Sequence, residues 1–113
     1  MPVWYNLQKQ TSGLYNVNLP DRNFKAIIFC RMNPTSIQNT WDNVWNQTPD
    51  VYIHIDKNEP IEYLYAIKEN EWQNGEWRYN PNLCKHPNAN KTIWFKPNEN
   101  WLRDNARFAL YAF

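Results

Sequence analysis

The stretch Ala106-Arg107-Phe108-Ala109-Leu110-Tyr111-Ala112-Phe113, ARFALYAF, reads as a β-strand without a polar face. Side chains alternate along a strand, so Phe108, Leu110 and Ala112 share one side and Ala109, Tyr111 and Phe113 the other. A strand on the outside of a sheet would keep one side polar. This one has to be covered twice. One side predicts the core between two packed sheets, and the other predicts cover from a loop or a neighbouring subunit. The segment is therefore expected to be tied into the fold, since an uncovered apolar edge would recruit other chains.

Working outward, the same alternation recurs in short pieces between Pro, Asn and Asp turns. VWYNL opens the series, and LYNVNLP places Tyr15, Val17 and Leu19 on one side. FKAIIFCRM sets Ala26, Ile28 and Cys30 against Ile27, Phe29 and Arg31. VYIHID points Val51, Ile53 and Ile55 inward; IEYLYAIK, EWRYN and KTIWFK follow. Trp101, Asn105 and Phe108 could share a helical face, but the aromatic alternation after them favours a loop leading into a strand. About eight short strands with almost no helix signal predict an all-β fold, an antiparallel Ig-like two-sheet β-sandwich, as one domain over residues 1–113. Ile27, Phe29, Ile53, Leu64, Phe95, Phe108 and Leu110 are the expected core.

Three connections stand out. In EWQNGEW, Asn74-Gly75 has the chemistry of a two-residue hairpin turn, which would set Trp72 opposite Trp77 as a cross-strand pair. The stretch from Met32 to Pro49 is too long for an ordinary hairpin loop and carries Trp41 and Trp45, so it is expected to be ordered, with one of these rings packed on the sandwich. Residues 80–91 lack periodicity and read as a surface connection.

Composition narrows the function. A net charge of +1 gives no footprint for nucleic acid or an anionic membrane. No apolar run has membrane-spanning length, and MPVWYNLQKQ lacks the basic and apolar regions of a secretory signal. Two glycines against eight prolines argue against a phosphate-cradling loop. Cys30 and Cys84 form no CxxC pair and read as free thiols rather than a disulfide. His54, on the polar side of its strand, and His86 have no ligand-spaced partners, so neither a metal nor a cofactor is expected. Ser12 and Ser36 sit in turns rather than a nucleophile elbow. No pair among Asp42, Asp50, Asp56, Glu69, Glu71 and Glu76 stands out as an acid beside an ionised base. The chain is not expected to be an enzyme.

Binding is better supported. Mean hydropathy is only −0.85 although aromatic residues make up 17% of the chain. Tryptophans set among amides and carboxylates suit flat, hydroxyl-rich ligands: a ring covers the C–H side of a sugar while polar groups bond its hydroxyls. NTWDNVWNQT, EWQNGEW and NENW share this composition, which makes Trp41, Trp45, Trp72, Trp77 and Trp101 candidate contacts, supported by Asn43, Gln47 and Asp50. Each tryptophan has a competing role as core, because seven in a small domain must mostly be buried.

GLYNVNLPDRNFKAIIFCRMNP and NTWDNVWNQTPDV resemble a β-sandwich module that recurs in secreted and surface proteins of low-GC bacteria. TIWFKPNENWLRDNARFALYAF resembles the opening of the same module. The layout is similar to the starch-binding modules of carbohydrate-binding families 25 and 26, Ig-like sandwiches whose surface aromatics stack on glucose rings. The resemblance implies a polysaccharide or other glycan as partner and does not fix the contacting positions. The two halves stand here in exchanged order, so the chain resembles a circular permutant, and Phe113 is expected close to Val3. Without an export signal, the module also suits a phage or virion structural or decoration protein, or an excised domain of a surface protein. In that alternative its aromatics would serve homo-oligomer or virion-protein contacts.

Overall fold

A computed structural model describes residues 2–20, 24–53, 63–79 and 92–113. Among these, ten strands form two sheets packed face to face as an all-β sandwich. The first sheet holds β1 (Val3–Asn6), β10 (Arg107–Ala112), β4 (Ala26–Met32) and β5 (Val44–Gln47) in that order, with β6 (Val51–Tyr52) also on β4. The second runs β2 (Gln8–Lys9), β3 (Tyr15–Asn18), β9 (Thr92–Lys96), β7 (Tyr63–Ile67) and β8 (Gly75–Tyr79). The only helical pieces among the described residues are 3₁₀ turns at Trp41–Asn43 and Arg103–Asn105.

ARFALYAF lies where its pattern requires. β10 is flanked by β1 and β4, and Phe108, Leu110 and Ala112 enter the core between the sheets. Ala109 and Tyr111 join Ile28, Cys30 and Met32 on the outer side of the first sheet, which the loop after β4 covers. Trp41 of that loop meets Trp4 and Tyr111 edge-on, each at 4.8 Å between ring centres. Arg107 latches the loop: its guanidinium donates to the Ser36 and Gln38 carbonyls, both at 2.7 Å, and to Asn39 Oδ1 at 2.6 Å. The long loop is thus ordered as expected, and Trp41 is its anchor. Val3 pairs with Ala112, so Val3 and Phe113 are close, and the Phe113 main chain also bonds Lys25 and Ala26.

Aromatic rings bridge the two sheets. Tyr15, Phe95, Tyr65 and Trp77 form one rung across four adjacent strands of the second sheet. Phe29 of the first sheet stacks on Tyr65 at 4.9 Å and on Phe95 at 4.6 Å, while Phe108 meets Tyr15 edge-on at 4.8 Å. Phe29, Phe95, Ile27 and Leu110 are fully buried and Phe108 nearly so; Ile53 is partly buried against them. These offset and edge-on contacts add to the burial of some of the largest side chains in the chain.

Three expectations change. Leu64 is buried but lies outside the main core; Tyr65 and Ile67 take the core side of β7, because the rung aligns Tyr65 with Phe95. The sheets are antiparallel at every described pairing except β7–β9, which is parallel. β8 and β9 flank β7 on opposite edges and run antiparallel and parallel to it. Asn74-Gly75 is not a two-residue turn. Gly75 opens β8 opposite Ile67, Trp77 faces Tyr65, and Trp72 sits in the intervening loop 68–74. The amides of Asn98 and Asn46 and the indole of Trp101 bond that loop's carbonyls and outweigh the local turn preference. His54, Ile55, Cys84, His86 and residues 80–91 lie outside the described residues.

Gly75 is needed for space: a Cβ there would stand 2.5 Å from the Tyr65 ring and 2.6 Å from the Ala66 carbonyl oxygen. Gly75→Ala should cost about 1–3 kcal/mol by forcing Tyr65 off the rung, read as a lowered denaturation midpoint. A variant with unchanged stability would show that β8 can shift without cost.

Cys30 is fully buried, and burial pushes its thiol up to about 12. A raised folded-state pKa gives stability that is whole below the unfolded thiol's ordinary value near 9 and drains away as pH rises toward about 12. Desolvation shifts partly buried Tyr15 and buried Tyr65 upward as well. In a Cys84→Ser background, a disulfide reagent at pH 8 should label Cys30 only after denaturation, and Cys30→Ala should flatten the alkaline loss of stability.

Candidate functional site

β4 carries a buried charge. Arg31 follows Ile27 and Phe29 on the core side and is 5% exposed. Its guanidinium lies at the end of the sandwich, where the edge strand β5 and the loops 68–74 and 97–106 meet. Nε donates to the Trp101 carbonyl at 3.0 Å, Nη2 to the Arg103 carbonyl at 2.7 Å, and Nη1 to Asn46 Oδ1 at 3.4 Å. Nη2 also reaches Asp104 Oδ2 at 3.3 Å. A buried guanidinium is tolerated only with such partners, because desolvation otherwise costs several kcal/mol.

Two tryptophans flank this cation. Its central carbon lies 4.9 Å from the Trp45 ring centre and 5.3 Å from that of Trp72. Trp45 is the extra residue of a β-bulge: Arg31 pairs with Asn46 and Met32 with Val44. A bulge re-aims a side chain, and this one lets Trp45 and Asn46 both reach Arg31 while Val44 packs on the outer side. Trp72 is held through its main chain, since its carbonyl accepts from Asn46 Nδ2 at 2.8 Å and from Trp101 Nε1 at 2.9 Å. Both rings remain more than 40% exposed. They are fixed in position without being buried.

Among the sequence candidates, Trp45 and Trp72 are thus brought together. Trp41 is 45% exposed but belongs to a separate cluster with Trp4 and Tyr111. Trp77 is half-buried against Tyr65. Trp101 is corrected to core: it has no exposed surface, packs on Phe95 and Phe108, and has no free face for a ligand. Asn43 stands in the loop after β4, where its side-chain Nδ2 donates to Ser36, Gln38 and Thr40. Gln47 is half-buried opposite Cys30, and Asp50 is exposed beside β6.

Sequence reading missed Arg31. The available signal was a charged residue in phase with Ile27 and Phe29 on a strand apolar on both sides. A shallow groove of about 660 Å³ beside the site is lined by Lys68, Glu69, Glu76, Arg78, Lys96 and Glu99 among others, all six exposed. Among the described residues no three His, Cys, Asp or Glu gather as metal ligands would, and no helix is long and apolar enough to cross a membrane. No family model, curated protein sequence or solved structure matches the chain.

Trp101→Ala should cost about 3–5 kcal/mol, the range for a fully buried ring. Trp45→Ala and Trp72→Ala should each cost about 1 kcal/mol, near the value of an exposed cation–π contact plus partial burial. Calorimetric midpoints of the three variants check this order, and equal losses would mean that all three rings are core.

Proposed function

We propose that this domain is a non-catalytic recognition module for hydroxyl-rich glycans, with Trp45 and Trp72 as its stacking surface. One observation carries the reading: two half-exposed indoles from different elements are held on one buried guanidinium. Holding large apolar rings in water is unfavourable for the free protein, but it lowers the ordering cost when a flat ligand binds. The Asp104 carboxylate at the rim supplies hydrogen-bond acceptors of the kind sugar hydroxyls use. The resemblance to starch-binding modules and to a permuted β-sandwich repeat points the same way.

A second reading rests on the other aromatic surface. Ile37 is 91% exposed, and Trp41, Tyr52 and Phe113 are each more than a third exposed. Contiguous exposed apolar groups suit protein contacts, as in a virion or decoration protein that assembles through its aromatics.

Titration with soluble starch, xylan and β-glucan fragments should change tryptophan fluorescence at millimolar ligand or below. Trp45→Ala or Trp72→Ala should abolish the response while the fold persists. Loss of the response on Trp41→Ala alone would move the site to the outer cluster. No response to any glycan, with concentration-dependent association removed by Ile37→Ser, would favour the assembly reading.

A further inference from the structure

The counter-ion of the buried guanidinium stands in water. Arg31's side chain is 6% exposed, whereas that of its ion-pair partner Asp104 is 74% exposed. Their 3.3 Å contact is longer than the 2.7 Å bond from the same nitrogen to the Arg103 carbonyl. Asp104 also occupies a strained turn, with φ at 61° and the next residue, Asn105, at 54°. Consecutive non-glycine residues in the left-handed region are uncommon and cluster where strain serves function. A loosely held carboxylate therefore caps a cation that lies between two stacking surfaces.

We propose that the site selects acidic sugars: a pyranose ring on the face of Trp45 or Trp72, with its carboxylate on Arg31 in the place that Asp104 holds. The proposal rests on the glycan reading and adds the ligand's charge. A guanidinium fork matches a carboxylate in geometry and charge. Asp104 can swing away because its side chain is mostly solvated and carries only this one ion pair among the described residues. The same cation disfavours amino sugars and quaternary ammonium groups. Each ring already has a positive charge against it, so a second cation would face repulsion where aromatic cages normally attract. A neutral sugar gains the stacking alone.

The matched probes are an oligogalacturonate and its methyl ester, which share rings and linkage and differ in charge. Calorimetry at fixed ionic strength should show the acid bound roughly fivefold or more tightly. Asp104→Asn keeps a residue that tolerates positive φ and removes the resident charge. It should strengthen acid binding further and leave the ester unchanged. Equal affinity for acid and ester overturns the proposal while the glycan reading stands; binding of neither overturns both. Ionic quenchers test the anion position without a sugar. The fluorescence lost on Trp45→Phe/Trp72→Phe should be quenched more by iodide than by caesium, and the difference should widen in Asp104→Asn. Equal quenching, or no change in that variant, overturns the proposal even if a glycan binds.

Discussion

A strand without a polar face constrains everything around it. β10 cannot sit at the surface of a single sheet, so it takes an interior position with neighbours on both edges and cover on both faces. On one side that cover is the second sheet, through Phe108 and Leu110. On the other it is the loop after β4, which brings Trp41 over Tyr111 and is latched by Arg107 of β10 itself. The strand that needs covering thus supplies the side chain that holds its cover. Asx and Ser turns stiffen the loop from within, since Asn33 Oδ1 accepts from the Thr35 amide and Ser36 Oγ from that of Gln38.

β4 repeats the pattern and adds a charge. It is buried along its whole length, and Arg31 takes a core-side position at the rim. Its cost is offset by carbonyls from the 97–106 connection and by Asn46 across the ladder. Asn46 and Trp101 in turn fix the carbonyl of Trp72. One buried cation therefore ties the edge strand, the β7–β8 loop and the approach to β10 into a single cluster. The placement of two exposed rings follows from satisfying that charge. Polar clusters of this kind specify geometry more than they add stability.

Edge management shows the same economy. β5 and β6 are separated by Thr48, Pro49 and Asp50, and the ladder survives the break because Thr48, 1% exposed, takes over. Its amide donates to the Phe29 carbonyl at 2.9 Å and its hydroxyl accepts from the Phe29 amide at 3.1 Å. Proline at a sheet edge discourages further pairing, and the adjoining bulge at Trp45 bends the same edge toward Arg31.

Period-two alternation was legible in the sequence because side-chain direction along a strand is a local property of the backbone. It identified most strands, the two covered faces of β10, six fully or nearly fully buried residues of the seven expected in the core, and the need for an ordered Trp-bearing loop. It also marked Trp45 and Trp72 as candidates. Tertiary structure alone decided the rest. Asn74-Gly75 has hairpin chemistry, yet amides more than twenty residues away in sequence bond the loop before it and move the turn. NENW looks like a ligand surface, yet Trp101 is core because Phe95 and Phe108 converge on it. Leu64 and Tyr65 are equally plausible core residues in IEYLYAIK, and only the register against Phe95 chooses between them. Arg31 was invisible as the centre of the site because its two shortest hydrogen bonds go to main-chain carbonyls, which leave no trace in side-chain identity, and its side-chain partners come from three separate segments. Local chemistry determines which way a residue points; which distant group it meets depends on how the sheets and loops close around it.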